Sequence, residues 1–203
     1  MSIDQTQINE FLSIVDEELT TYFKHIDYDA LSKAKELIVT AQENNNRVHV
    51  TGIGKPGHVS KYIASLLSST GTPAYELHGT EAVHGSSGQV LPGDVVIAIS
   101  NSGETTELIG TVQTLLNNGA VIISVTGNPN SWLAKHGNVT LLAGVVQEGD
   151  TMNKPPRISI LAEIVVLQCL SILLQNHHQL SLAQYVKWHP GGSLGKSILE
   201  EVK

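Results

Sequence analysis

Two uninterrupted apolar runs constrain this chain most: Asp94-Val-Val-Ile-Ala-Ile-Ser100 and Ala120 to Thr126, with a helical pattern from Thr105 to Leu116 between them. Both runs read as strands, and continuous apolar strands are those of a parallel sheet covered on both faces. Around them the alternation continues. Arg47 to Thr51 reads as a strand, Gly57 to Leu67 as a helix, Pro73 to Leu77 as a second strand and Val139 to Val145 as a fifth. Ile158 to Leu174 is a long apolar helix. Strands alternating with helices predict an α/β fold, a doubly wound parallel sheet of five strands flanked by helices.

Two helical patterns precede the sheet. Ile8, Leu12, Val15, Leu19 and Phe23 recur at helical spacing, as do Leu31, Ala34, Leu37, Ile38 and Ala41. Asp29 is the predicted start signal of the second helix, and Asn44-Asn-Asn46 its end. A single domain over residues 1–203 follows: a helical extension over about 1–45, an α/β core over about 46–178, and a C-terminal segment over about 179–203. His189-Pro-Gly-Gly-Ser-Leu-Gly195 in that last segment is a loop by its proline and glycines.

Composition narrows the function. A formal charge of -7 disfavours nucleic acid, although backbone N–H groups at a helix start can still hold a small phosphate. Cys169, the only cysteine, lies in an apolar run and is expected to be an inert core thiol. Glu163 and Gln168 interrupt the apolar run from Ile158, which is short for a membrane span, so a buried helix is expected rather than a membrane partner. The N-terminus lacks the basic and apolar regions of a signal peptide, and a cytoplasmic protein is expected.

The segment that carries most chemistry is Ser100-Asn-Ser-Gly-Glu-Thr-Thr-Glu107, which follows a buried strand and opens a helix. Ligands of open α/β sheets bind where a strand end feeds a helix start. Ser100, Ser102 and Thr105 supply hydroxyls there, and Gly103 permits close backbone approach. Ordinary helix capping is the alternative reading of a single such hydroxyl. Three of them with a glycine suit a phosphate dianion, so Ser100, Asn101, Ser102, Gly103 and Thr105 are the candidate phosphate-binding residues.

Thr51-Gly-Ile-Gly-Lys-Pro-Gly-His58 occupies the same position after the first strand. Gly52, Gly54 and Gly57 match a dinucleotide-binding GxGxxG, with Glu76 near the place of its ribose-binding acid. Lys55 inside that turn argues against a pyrophosphate and for an oxyanion or a sugar hydroxyl, or else it is a solvated loop lysine. His84 and His189 each lie in a glycine-bearing loop, unlike His49, His177 and His178, which are given no role.

Taken together, TGIGKPGH, GTPAYELHGTEAVHG, LPGDVVIAISNSGET, IISVTGNPNS and HPGGSLG resemble the SIS domain of phosphosugar enzymes and regulators, and the arabinose-5-phosphate isomerases in particular. The resemblance covers most of residues 30–198. It implies a flavodoxin-like three-layer sandwich and aldose–ketose isomerisation; that chemistry through an enediolate demands no cofactor or metal, and although His84, His189 and Glu107 could converge on zinc, no close ligand spacing argues for it. The resemblance implies a catalytic set of Lys55, His84, Glu107 and His189, with substrate contacts at Thr51 and Gly54. It also implies a homo-tetramer, or a homodimer, with the site at a subunit interface and His189 serving a neighbouring chain. Those isomerases usually carry paired CBS domains after the SIS domain, and the sequence in hand is expected to lack them.

One segment departs from that group. Met152-Asn-Lys-Pro-Pro-Arg-Ile-Ser-Ile160 stands where a Pro/Thr/Ser-rich stretch is usual, and Arg157-Ile-Ser-Ile-Leu161 is more similar to SIS domains of RpiR-type regulators. Arg157 is either a phosphate partner or a helix-start arginine. A non-catalytic phosphosugar sensor is therefore the alternative to the isomerase.

Overall fold

The computed structural model describes residues 2–191. The elements run α1 (Ile3–Phe23), α2 (Tyr28–Glu43), β1 (Val48–Gly52), α3 (Lys55–Ser69), β2 (Ala74–Glu76), β3 (Val95–Ile99), α4 (Thr106–Asn117), β4 (Val121–Thr126), α5 (Trp132–His136), β5 (Val139–Leu142), α6 (Ile158–His177) and α7 (Leu182–Trp188). Two 3-10 turns, Glu81–His84 and Ser86–Gln89, lie between β2 and β3.

The five strands are parallel in the order β2-β1-β3-β4-β5. All residues of β3 are buried, as are all of β4 but Val121, which is why these two strands read as the continuous apolar runs. Side chains alternate between faces. Val48, Val50, Val95, Ile97, Ile99, Ile123 and Val125 pack with α2, α3 and α6, while Val96, Ala98 and Ile122 pack with α4 and α5. The three-layer α/β sandwich is therefore as expected.

Local departures have physical causes. Asp27, not Asp29, caps α2: its carboxylate accepts from the Ala30 N–H at 2.9 Å, and Asp29 lies in the first turn. Asn44 and Asn45 end the helix as expected, Asn45 with φ of 60°. Far from being an appendage, α2 buries Leu31, Ala34 and Ile38 against the sheet. The helices α5 and α7 are too short to show an apolar periodicity; each starts at a serine cap, Ser131 and Ser181.

By length and apolarity α6 is able to cross a membrane, the one such helix among the described residues. Ala162, Val166, Leu167, Leu170 and Leu174 are nevertheless buried in the core with α2 and α3. Cys169 packs against the same cluster, and burial pushes its thiol pKa up, as an inert core thiol requires.

Glu163 also lies in this interior. It is fully buried, and neither carboxylate oxygen has a hydrogen-bond partner. Desolvation, with the nearby charge of Glu148, pushes its pKa up to about 8 from 4.5. The folded protein thus holds a proton that the unfolded chain releases, so this group's contribution to stability falls as pH rises from about 4.5 to 8. Glu163→Gln is expected to flatten that dependence, so that its stability relative to the wild type rises by about 3–5 kcal/mol between pH 4.5 and above pH 8, read from urea unfolding across the pH range.

Candidate functional site

The strand order places the switch point between β1 and β3, where successive crossovers leave for opposite faces and a crevice opens beyond the strand ends. The helices that start there, α3 and α4, have no side-chain cap. Elsewhere α1, α2, α5 and α7 are closed by Ser2, Asp27, Ser131 and Ser181. The start of α6 is closed by Glu148, whose Oε2 accepts from the N–H groups of Arg157, Ile158 and Ser159 at 2.7, 2.7 and 3.2 Å. Only α3 and α4 among the described helices thus present their first N–H groups and dipole ends without a side-chain partner, which is how a sheet receives an anion.

The turn into α3 is built from glycines. Gly54 has φ of 66°. A Cβ on Gly52 would lie 2.7 Å from the Pro56 carbonyl carbon, and one on Gly79 the same distance from the Gly52 oxygen. Lys55 is the first residue of α3 and is exposed. A cation at a helix N-terminus opposes the dipole, so folding alone does not account for it. A cleft of about 220 Å³ opens beside this turn, lined by Gly52, Gly54, Gly57, Lys61, Glu76 and His78. Glu76 pairs with Lys61 at 3.5 Å, which occupies the acid that a dinucleotide ribose would need.

The second loop is stapled to β4. The Asn101 carbonyl accepts from the Gly127 N–H at 2.9 Å and from the Thr126 hydroxyl at 3.1 Å. Ser100 Oγ lies 3.2 Å from Thr105 Oγ1 and accepts from the Gly103 N–H at 3.1 Å. Ser102 Oγ accepts from the Glu104 N–H at 3.2 Å. Gly103 has φ of 66°, and a Cβ there would collide with Ser131. That glycine is required by the loop's contact with α5, whereas the sequence suggested close approach to a ligand.

The two glutamates of this loop separate. Glu104 Oε1 accepts from the Trp132 N–H at 2.7 Å and so secures the start of α5. Glu107, in the first turn of α4, is exposed and has no hydrogen-bond partner among the described residues. His84 ends the first 3-10 turn and is exposed, with Gly85 at φ of 116° behind it. The Thr111 hydroxyl of α4 donates to the Gly79 carbonyl, tying that turn to the helix that carries Glu107.

Other candidates lie away from this crevice. Thr51 is fully buried within β1 and its hydroxyl has no partner, so it faces the interior. Arg157 donates to Asp150 at 2.5 Å and lines a groove of about 730 Å³ between α1 and the segment before α6. His189 follows α7; its ring stacks on Tyr185 at 3.9 Å and Nδ1 lies 2.9 Å from the Tyr185 carbonyl. The adjacent Trp188 lines a cleft with Gly71, Pro73 and Ala74, at the start of β2. That is the opposite end of the sheet from Lys55 and Glu107, about 13 Å away along β1. Of the HPGG segment, Gly192 to Gly195 lie outside the described residues. Among the described residues no three His, Cys, Asp or Glu side chains are grouped to hold a metal.

A sequence model of the SIS domain matches residues 43–173. The chain belongs to the SIS domain family. Arabinose 5-phosphate isomerase KdsD of Pseudomonas aeruginosa is 41% identical over 175 residues, 86% of this chain and 53% of that protein. Arabinose 5-phosphate isomerase KpsF of Escherichia coli O6:H1 is 34% identical over 197 residues, 97% of this chain and 59% of that protein. The chain spans about half the length of the curated relatives it matches. Among solved structures, an Escherichia coli CFT073 protein in complex with arabinose 5-phosphate superposes on this SIS domain with a TM-score of 0.78 and 32% identity, covering 94% of this chain and 100% of that one. A putative sugar-phosphate isomerase from Listeria monocytogenes has a TM-score of 0.86 and 25% identity, covering 94% of this chain and 100% of that one.

Proposed function

We propose that this SIS domain interconverts an aldose and a ketose phosphate through an enediolate, with D-arabinose 5-phosphate and D-ribulose 5-phosphate as the pair. The observation that carries the reading is the crevice at the switch point, where two helix starts without side-chain caps bring the Ser100–Thr105 loop, Lys55 and Glu107 to one end of the sheet. The names of the relatives and the sugar-phosphate complex of the Escherichia coli CFT073 protein support the choice of sugar.

In this reading the phosphate sits on the α4 start, in the loop of Ser100, Asn101, Ser102, Gly103 and Thr105, where the hydroxyls of Ser100, Ser102 and Thr105 and the first N–H groups of α4 hold it. Gly54 lets the backbone approach the sugar. Glu107 removes the proton from C2 of the open-chain aldose, and the carbonyl oxygen at C1 takes the charge as an enediolate. Lys55 stabilises that oxyanion. The proton returns at C1, and the O2 proton moves to O1, which leaves the ketose. His84 and His189 share ring opening and the relay between oxygens.

His189 lies away from this crevice in its own chain, so its role in the reading requires a second copy, a homo-oligomer with shared sites and a tetramer by family resemblance. A doubly charged sugar phosphate does not cross a bilayer, which supports a cytoplasmic location. The sensor alternative rests on the likeness of the Arg157 segment to RpiR-type regulators; Arg157 itself pairs with Asp150 and adds no free phosphate partner to it.

The test is a coupled isomerase assay over a panel of pentose and hexose phosphates. Turnover of arabinose 5-phosphate at about 1–10³ per second is expected. Binding without turnover across the panel would overturn the isomerase in favour of a sensor.

A further inference from the structure

His78 stands outside the residues given roles above. It lies two residues after β2, just ahead of the 3-10 turn that ends at His84. Its Nδ1 is 3.2 Å from Thr80 Oγ1 and 3.4 Å from the backbone nitrogens of both Thr80 and Glu81. A backbone N–H can only donate, so Nδ1 is the acceptor and the neutral ring carries its proton on Nε2. The 3-10 turn thereby fixes the tautomer.

Nε2–H is then a donor with no protein partner among the described residues, on a ring that lines the cleft beside Gly54. The other charges of that cleft, Lys61 and Glu76, are paired with each other at 3.5 Å. A cleft whose two charges cancel suits neutral hydroxyls better than a phosphate. The phosphate has the α4 start, and the cleft lies on the far side of the Lys55 turn.

We propose that His78 is a substrate-positioning residue: Nε2–H donates to an oxygen of the sugar and seats its hydroxylated end in the cleft beside Lys55. The proposal rests on the sugar-phosphate reading of the site.

Two substitutions divide the ring's functions. His78→Asn puts an amide oxygen near the place of Nδ1, so it keeps the contact with the 3-10 turn and loses the distal donor. His78→Gln puts an amide nitrogen near the place of Nε2, so it keeps the donor and loses that contact. His78→Asn is expected to keep the wild-type melting temperature, to raise KM for arabinose 5-phosphate about five- to tenfold, and to change kcat less than about twofold. His78→Gln is expected to melt lower with KM within about threefold of the wild type. An unchanged KM in the Asn variant, or a fall in kcat at constant KM, would overturn the proposal.

Calorimetric titration with arabinose 5-phosphate and with inorganic phosphate separates this outcome from the fate of the isomerase reading. Wild-type binding without turnover sinks the isomerase alone. The Asn variant must then still lose affinity for the sugar phosphate and keep it for inorganic phosphate. Equal loss of both ligands overturns the role of His78, and a wild type that binds no sugar phosphate overturns both ideas.

Discussion

Glu107→Gln is expected to lower kcat by about 10²–10⁴-fold while leaving sugar-phosphate affinity within about threefold, because a positioned general base contributes on that scale. Glutamine keeps the size of the side chain and nearly the same helix propensity, so α4 should fold unchanged. What is lost is basicity at one atom. The comparison that makes the result specific is Glu104→Gln, three residues earlier in the same loop. Glu104 holds the Trp132 N–H at 2.7 Å, whereas Glu107 is exposed and has no hydrogen-bond partner among the described residues. An amide oxygen can still accept from the Trp132 N–H, so the Glu104 variant should lose only the charge assistance of that bond and keep most of its turnover. Kinetics for both variants, with calorimetric affinity measured alongside, decide the matter. Normal turnover in Glu107→Gln would remove that residue as the base.

The contrast between these two glutamates marks what the sequence discloses. Both lie in a loop that is conspicuous because it follows the unbroken apolar run of β3, and that run is visible because both faces of the sheet are covered. Position after a strand, hydroxyl density and a glycine are local properties, and they are legible. The assignment of Glu104 to α5 depends on Trp132, which is distant in sequence and belongs to a five-residue helix too short to show periodicity. Gly103 shows the same limit, since the neighbour that forbids a side chain there is Ser131.

Glu163 illustrates the interior version of this limit. As an interruption in an apolar run it is compatible with a buried helix, and that reading of α6 stands. Its lack of any partner depends on which side chains α6 meets in space. The start of α6 is similar. Arg157 looks like a phosphate ligand by residue type, yet Glu148 takes its backbone N–H and Asp150 its guanidinium. Local pattern therefore located the crevice, while tertiary partners sorted which charged residues remain available to a ligand.

His189 gives the largest effect that depends on assembly. It follows Trp188, which lies beside the start of β2, the end of the sheet opposite Lys55 and Glu107. If it completes a neighbour's site, His189→Ala should be nearly inactive alone, as should Glu107→Gln. Unfolding and reassembling the two in equal amounts should then restore activity. A site works when its own chain supplies Glu107 and its neighbour supplies His189, and random assembly gives that combination in roughly one quarter of sites. The expected recovery is about a quarter of wild-type turnover. It should need subunit exchange and be absent when intact oligomers are simply mixed. A site built within one chain predicts no recovery under either condition, because every chain then lacks one of the two groups. Recovery near a quarter after reassembly would fix His189 in trans; none, with both variants folded and oligomeric, would show that its loss acts within the chain.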